Sequence, residues 1–134
     1  MSRVLAITAG AALILGAAGI SGCGGGGSSS SGTTSSAAAL ANCNINGRQQ
    51  QLGASYVTSI SVAKVSCGQA ERLVIAYHRC RLASGGSGGT CKTAVLGFDC
   101  SEGGRQAVPG VQYNATVDCR KGGAEVKSTY TQNF

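Results

Sequence analysis

The placement of the cysteines constrains this chain more than any other feature. Seven cysteines occur in 134 residues. Six of them fall in one segment: Cys43, Cys67, Cys80, Cys91, Cys100 and Cys119. An even number of cysteines in a segment of this length is typical of a disulfide framework in an exported protein. Since four Tyr, two Phe and no Trp give a light aromatic core, we expect the fold to depend on these covalent links.

The seventh cysteine, Cys23, ends an apolar segment and opens a tract of glycine and serine. The segment begins with the positive charge of Arg3 and continues through residues 4–19, which are rich in Ala and Gly. It is shorter than the roughly 20 apolar residues of a membrane-spanning helix. A positive start, a short apolar run and small residues at its end are typical of a secretory signal. We therefore predict that residues 1–22 are a signal peptide.

The last residues of this segment, Ile20-Ser21-Gly22-Cys23, resemble the lipobox of bacterial lipoproteins. The resemblance implies that the Cys23 thiol receives a diacylglycerol, that the chain is cut before Cys23, and that fatty acyl chains such as palmitate anchor it. It also implies a location on the extracytoplasmic face of the cell membrane. An incidental cysteine beside an ordinary cleavage site and an uncleaved anchor are the alternatives.

The composition after Cys23 divides the remaining chain in two. Residues 24–41 are uncharged and mostly Gly, Ser and Ala, so residues 23–41 are predicted to be a flexible tether with a reach of roughly 25 Å. Residues 42–134 are predicted to form one domain. The net charge of +6 comes from scattered basic residues, which argues against a nucleic-acid partner. An envelope protein or an anionic wall polymer is the expected partner, and a monomer without a cofactor is expected.

Hydrophobic periodicity predicts one helix and four strands within this domain. Residues 54–65 alternate, with Tyr56, Ile60 and Val62 on one face. Ser66 and Gln69 have the spacing of a capping box, and the apolar stripe after them predicts a helix up to residue 81, followed by a flexible glycine-rich loop. Three further strands are predicted at residues 92–100, 111–119 and 124–131. The predicted fold is therefore α+β, with the order β-α-β-β-β and one helix packed on a small mixed sheet.

This order predicts a nested set of disulfides. If the first two strands are parallel neighbours, Cys67 and Cys100 lie at the same end of the sheet. The helix then returns Cys80 to the other end, beside Cys91. An antiparallel third strand brings Cys119 near Cys43. The predicted pairs are 43–119, 67–100 and 80–91, out of 15 possible connectivities.

The segments VSCGQAERLVIAYHRC, GFDC and VDCRKGG resemble small cysteine-rich secreted domains of unassigned function in high-GC Gram-positive bacteria. This resemblance implies no activity.

Three motifs that could carry chemistry lack the required context. Ser87 matches G-x-S-x-G within residues 85–89, but no strand-to-helix turn is predicted there. His78 is the single histidine and is expected to be exposed or partly packed at the rim of the apolar stripe. The cysteines form no C-x-x-C pair, so no metal site is expected. The chain is therefore predicted not to be an enzyme, and a hydrolase centred on His78 is a minor alternative.

The loop at residues 101–110 is the candidate contact surface, with Arg105 and Pro109 as its candidate binding residues. A long loop that begins at a disulfide can present a recognition surface, while a solvated connection is the competing interpretation. The sequence thus predicts a binding or structural module of the cell envelope. The alternative is a small inhibitor of an exported hydrolase that uses the same loop.

Overall fold

The computed structural model describes residues 39–134. The predicted signal peptide, the predicted lipidation site Cys23 and most of the predicted tether therefore lie outside the described residues. The first strand begins at Ala41, one residue before the predicted start of the domain.

In this described part of the chain, six antiparallel strands form one sheet in the order β1-β2-β6-β5-β3, and β4 pairs with the same edge of β5 as β3 does. The strands are β1 Ala41–Asn42, β2 Tyr56–Ala63, β3 Asp99–Glu102, β4 Gln106–Val108, β5 Gln112–Lys121 and β6 Ala124–Asn133.

The long β5–β6 hairpin is the centre of the sheet. Alternate residues of β5 are buried on one face, as the sequence predicted: Tyr113, Ala115, Val117 and Cys119. Val126 and Tyr130 of β6 are buried on the same face. The hairpin turns at Gly122, whose φ of 56° suits glycine.

The one α-helix of residues 39–134, α1 (Cys67–Gly85), covers the inner face of this sheet. Ser66 and Gln69 make both hydrogen bonds of the predicted capping box. Ala70, Leu73, Val74 and Tyr77 are buried in the common core with β2, β5 and β6. The α+β class with one helix on one face of a small sheet is confirmed, although the sheet is antiparallel throughout rather than mixed.

Two strand predictions need correction. Of residues 92–100, only Asp99 and Cys100 belong to a strand, β3. Residues 95–98 form a turn in which Val95 bridges to Phe98 and Leu96 has a φ of 51°, so Val95 points inward and Leu96 outward. In β2, an irregularity between Val57 and Ser59 shifts the alternation. Val57 is therefore buried with Ile60, whereas Tyr56 faces solvent.

The disulfides are Cys43–Cys67, Cys80–Cys91 and Cys100–Cys119. The predicted 80–91 pair is confirmed, and the predicted 43–119 and 67–100 pairs are wrong. The error has one cause: β2 pairs with β6 and not with the strand after the helix. Cys100 in β3 consequently lies opposite Cys119 in β5, and Cys43 lies beside the start of α1. Three disulfides indicate an oxidising, extracytoplasmic location.

The two ends of the sheet carry different connections. The end of β2, the start of α1 and the β5–β6 turn lie at one end. The C-terminal end of α1 and the turn between β4 and β5 lie at the other.

Candidate functional site

A buried arginine stands at the centre of a polar cluster near the C-terminal end of α1. Arg81 is fully buried. Its Nη1 donates to the carbonyl of Ser87 at 2.6 Å and to Tyr113 Oη at 2.7 Å. Its Nη2 donates to Gln132 Oε1 at 2.5 Å, and its Nε donates to His78 Nδ1 at 3.3 Å. These acceptors are all neutral, so the guanidinium charge is solvated by dipoles in place of water.

Glu102, at the end of β3, supplies the negative charge of the cluster. Tyr77 Oη and Tyr130 Oη donate to its Oε2 at 2.7 and 2.9 Å, and Arg105 Nε donates to its Oε1 at 2.5 Å. Burial alone would raise the pKa of Glu102, but the hydrogen bonds from Arg105, Tyr77 and Tyr130 lower it further than burial raises it. The carboxylate therefore stays ionised at neutral pH.

The two tyrosines bound to Glu102 remain protonated. Burial raises the pKa of Tyr77, and its hydrogen bond to Glu102 raises it further. Burial likewise raises the pKa of Tyr130, together with hydrogen bonds involving Tyr113 and Glu102. Both phenols act as hydrogen-bond donors and not as bases.

His78 is fully buried beside this cluster, which corrects the expectation of an exposed or partly packed side chain. Its ring packs edge-on against Tyr77 and Tyr130, with centroids 5.5 and 4.5 Å away. A Cβ at Gly53 would lie 2.9 Å from His78 Cβ, so the Gly53 backbone closes over the histidine. Burial, followed by the charge of Arg81, lowers the pKa of His78 to about 3.

A hydrolase centred on His78 therefore has no geometric support. Within residues 39–134, Nε2 of His78 has no hydrogen-bond partner and Nδ1 accepts from Arg81 rather than from a nucleophile. The neutral imidazole is sealed away from solvent, whereas a general base must reach its substrate.

Arg105, a predicted contact residue, makes its hydrogen bonds to other residues of the domain. Its Nη1 and Nη2 donate to the carbonyls of Gly88 and Gly89 at 2.6 Å each, while its Nε binds Glu102. The guanidinium lies 4.4 Å from the centroid of the Tyr113 ring. Arg105 thus braces the 101–110 loop against the glycine-rich segment that follows α1.

That glycine-rich segment is more ordered than its composition predicted. Gly86–Gly88 form a turn of 3-10 helix. Arg81 and Tyr113 both donate to the Ser87 carbonyl. A Cβ at Gly89 would lie 2.1 Å from the carbonyl oxygen of Arg81, so only glycine fits there. Ser87 is used through its backbone, and the G-x-S-x-G match has no catalytic geometry.

The turn between β4 and β5 presents an apolar surface at the same end of the domain. We call it the hairpin tip and define it as residues 108–111 together with Phe134. Pro109 and Gly110 form the turn, closed by the bond from the Val111 amide to the Val108 carbonyl at 3.0 Å. Val108 and Val111 are 52% and 57% exposed. The Phe134 amide donates to the Val111 carbonyl, and its side chain is 62% exposed.

The hairpin tip is the part of the predicted contact loop that is free to meet a partner. Pro109 lies exposed in it, whereas Arg105 lies below it. The binding roles of Pro109 and Arg105 both remain predictions.

Residues 39–134 contain neither a group of metal-ligating side chains nor a helix that could span a membrane. Among these residues, no three His, Cys, Asp or Glu side chains are grouped as a metal site would require. No helix in this part of the chain has the length and apolar character needed to cross a membrane.

Sequence reasoning missed the buried roles of Arg81 and Glu102. Arginine is seldom fully buried, so the residue type alone gives no reason to expect Arg81 inside the domain. Its position four residues after Tyr77 continues the apolar stripe of α1, and this spacing was the available signal. For Glu102 no comparable signal exists, because its partners come from α1, β6 and the 103–105 loop.

Comparison with protein-family models, with curated proteins and with solved structures found no match to this chain.

Proposed function

We propose that this chain is a lipid-anchored lipoprotein of the extracytoplasmic face of the cell membrane, and that it is a non-catalytic binding module whose contact surface is the hairpin tip. The binding role rests on one observation: the hairpin tip is apolar and exposed, and the residues beneath it are held in place by hydrogen bonds of Arg105 and by the Cys100–Cys119 disulfide. Apolar side chains that project together on a small domain are typical of protein contact sites.

The bracing of the tip supports recognition. Below the tip, Arg105 ties Glu102 to the carbonyls of Gly88 and Gly89, and Cys100–Cys119 links β3 to β5. A surface that is already ordered loses little conformational entropy on binding. The tip therefore favours binding through a fixed shape.

The lipid anchor is supported by the sequence and by the cysteine count. Six of the seven cysteines form disulfides with one another, which leaves Cys23 as the cysteine outside these pairs. Cys23 is also the residue that the lipobox resemblance selects. Two or more acyl chains hold a protein stably at a membrane, because each buried CH2 contributes about 0.8 kcal/mol.

A fractionation experiment tests the anchor. The wild-type chain is expected in the membrane fraction, and Cys23→Ser is expected to lose this attachment. Ser28→Ala, a similarly small change in the tether, should remain attached. Intact mass should show acyl chains on Cys23 and six hydrogens missing from three disulfides. Equal attachment of Cys23→Ser and wild type would contradict the proposal.

A second experiment tests the hairpin tip. Val108→Ser/Val111→Ser should lose the partners that the wild-type domain retains from envelope extracts. Thr116→Ser, an exposed change on β5 outside the tip, should retain them. Retention of the same partners by the double valine variant would refute the tip as the contact surface.

The alternative, an inhibitor of an exported hydrolase, is favoured by one observation. The loop that carries Pro109 is held at its base by a disulfide and an internal arginine, and protease inhibitors bind tightly through loops of fixed shape. Titration against exported lysozymes and proteases tests this alternative. Inhibition that Val108→Ser/Val111→Ser abolishes would support it, and no inhibition at micromolar concentration would exclude it for those enzymes.

A further inference from the structure

We propose that the end of the domain opposite the hairpin tip docks directly on an anionic lipid surface. We call this end the basic end and define it as Lys64, Arg72, Leu96 and Lys121. The inference rests on the proposed membrane anchor, because the anchor brings the domain to the surface, and it adds a second contact made by the folded domain itself.

The cations of the basic end are gathered around the β5–β6 turn. Lys64 Nζ lies close to the backbone of Gly123, 3.0 Å from the position that a Cβ on this glycine would take. Lys121 Nζ lies 2.9 Å from the corresponding position at Gly97. Arg72 reaches back along α1 toward its N-terminal end, where a Cβ at Gly68 would lie 3.9 Å from Arg72 Nη1. All three cations are exposed.

These cations are available for an external anion. None of the three forms an ion pair with any residue between 39 and 134. The other charges near this end largely compensate one another. Arg120 pairs with Asp118 and Glu125, and Lys127 pairs with Asp118. Asp99 is the one acidic residue here without such a pair, so the end keeps a positive balance that suits anionic headgroups.

An exposed leucine lies beside these cations. Leu96 is 61% exposed in the turn between Val95 and Phe98. Lys121 Nζ lies 5.7 Å from the centroid of the neighbouring Phe98 ring. An apolar side chain close to a lysine and an aromatic ring matches the interface between lipid headgroups and acyl chains.

The backbone gives an independent indication. In residues 39–134, the non-glycine residues with positive φ are Lys64 at 57° and Leu96 at 51°. Gly or Asn adopts this conformation with less strain. Both side chains point to solvent, so core packing does not explain a long side chain at either position. Strain that packing does not explain points to function.

The chain enters the described domain at its basic end. Ala41 pairs with Val62, two residues before Lys64, so the segment that precedes β1 enters the domain at this end. The ten residues of β5 then separate the basic end from the hairpin tip by roughly 34 Å. Docking through the basic end would therefore direct the tip away from the lipid.

Partition into vesicles tests the proposal. Residues 39–134 lie in one compact unit with its own core and three internal disulfides, so the chain from residue 24 to 134 is suitable. We expect it to bind vesicles of phosphatidylcholine with one third phosphatidylglycerol at low salt. It should not bind pure phosphatidylcholine, and high salt should weaken binding through screening.

Two double variants of equal net charge locate the contact. Lys64→Gln/Lys121→Gln should lower the partition coefficient about 25-fold, at roughly fivefold per lysine. Arg79→Gln/Lys92→Gln, at exposed positions beside the Cys80–Cys91 disulfide, should change it less than twofold. Leu96→Asn should lower it while the domain stays folded.

Equal partition into both kinds of vesicle, equal losses in the two double variants, or no binding by the wild type would each overturn the proposal. Because the tested segment, residues 24–134, lacks Cys23, these outcomes are independent of whether the anchor proposal succeeds or fails.

Discussion

His78 is expected to make the stability of the domain depend on pH well above the range in which carboxylates titrate. The folded protein holds the imidazole neutral, with a pKa of about 3, whereas the unfolded chain has the ordinary value of about 6.5. Below pH 6.5 the imidazole of the unfolded chain therefore binds a proton, whereas the imidazole of the folded protein does not. The folded-state pKa is depressed, so stability is greatest above pH 6.5 and is lost as the pH falls.

The magnitude follows from these two pKa values. At pH 5.0 the free energy of unfolding is expected to be about 2 kcal/mol lower than at pH 7.5. Three titratable groups of the surrounding cluster do not titrate in this window, because the pKa values of Tyr77 and Tyr130 are raised and that of Glu102 is lowered. His78 is also the only histidine in the chain.

Urea unfolding at constant ionic strength, followed by circular dichroism with the disulfides intact, measures this effect. His78→Gln is the matched variant, because its amide oxygen can accept the bond from Arg81 Nε but does not titrate. We expect the wild type to lose about 2 kcal/mol between pH 7.5 and 5.0 and His78→Gln to lose almost none. The reasoning would be refuted by a flat wild-type profile, or by equal slopes in the two proteins.

Two further outcomes are expected from the same unfolding assay. Arg81→Ala should lower the free energy of unfolding by about 3 kcal/mol or more, because it leaves buried acceptors on Gln132 and His78 unpaired and opens a cavity. The exposed control Arg79→Ala should change this free energy by less than about 0.5 kcal/mol. Similar effects of the two substitutions would contradict the buried network. Leu96→Asn should raise the free energy of unfolding by about 0.5–1 kcal/mol, since Asn tolerates the positive φ better, and a destabilised variant would show that Leu96 contributes to packing.

The sequence predicted those parts of the fold that local patterns determine. Strict alternation identified β5, and the Ser66–Gln69 capping box located the start of α1 correctly. Both signals depend on residues close together in the chain, and neither depends on which strands become neighbours.

The errors arose where distant pairing decides the structure. A parallel pairing was assumed for the strands before and after α1, and the true pairing of β2 with β6 changed two of the three disulfides. The strand predicted at residues 92–100 was wrong for residues 92–98, because a four-residue turn at Gly97 produces a similar apolar pattern. In β2, one irregularity moved Val57 into the core in place of Tyr56.

The candidate site shows the same division. Pro109 lies in an exposed turn, which the proline–glycine pair indicates locally, whereas residues 101–102 and 106–108 of the predicted loop belong to β3 and β4. The internal role of Arg105 depends on carbonyls contributed by Gly88 and Gly89, which no pattern around residue 105 could reveal.

The run Gly85-Gly86-Ser87-Gly88-Gly89 has a practical consequence for protein engineering. By composition it looks like a permissive site for an epitope tag or a circular permutation. Its carbonyls hold the guanidinium groups of Arg81 and Arg105, and Gly89 has no room for a side chain. A fusion inserted there would break the hydrogen bonds that Arg81, Arg105 and Tyr113 make to this run, so reporter sequences belong elsewhere on the domain.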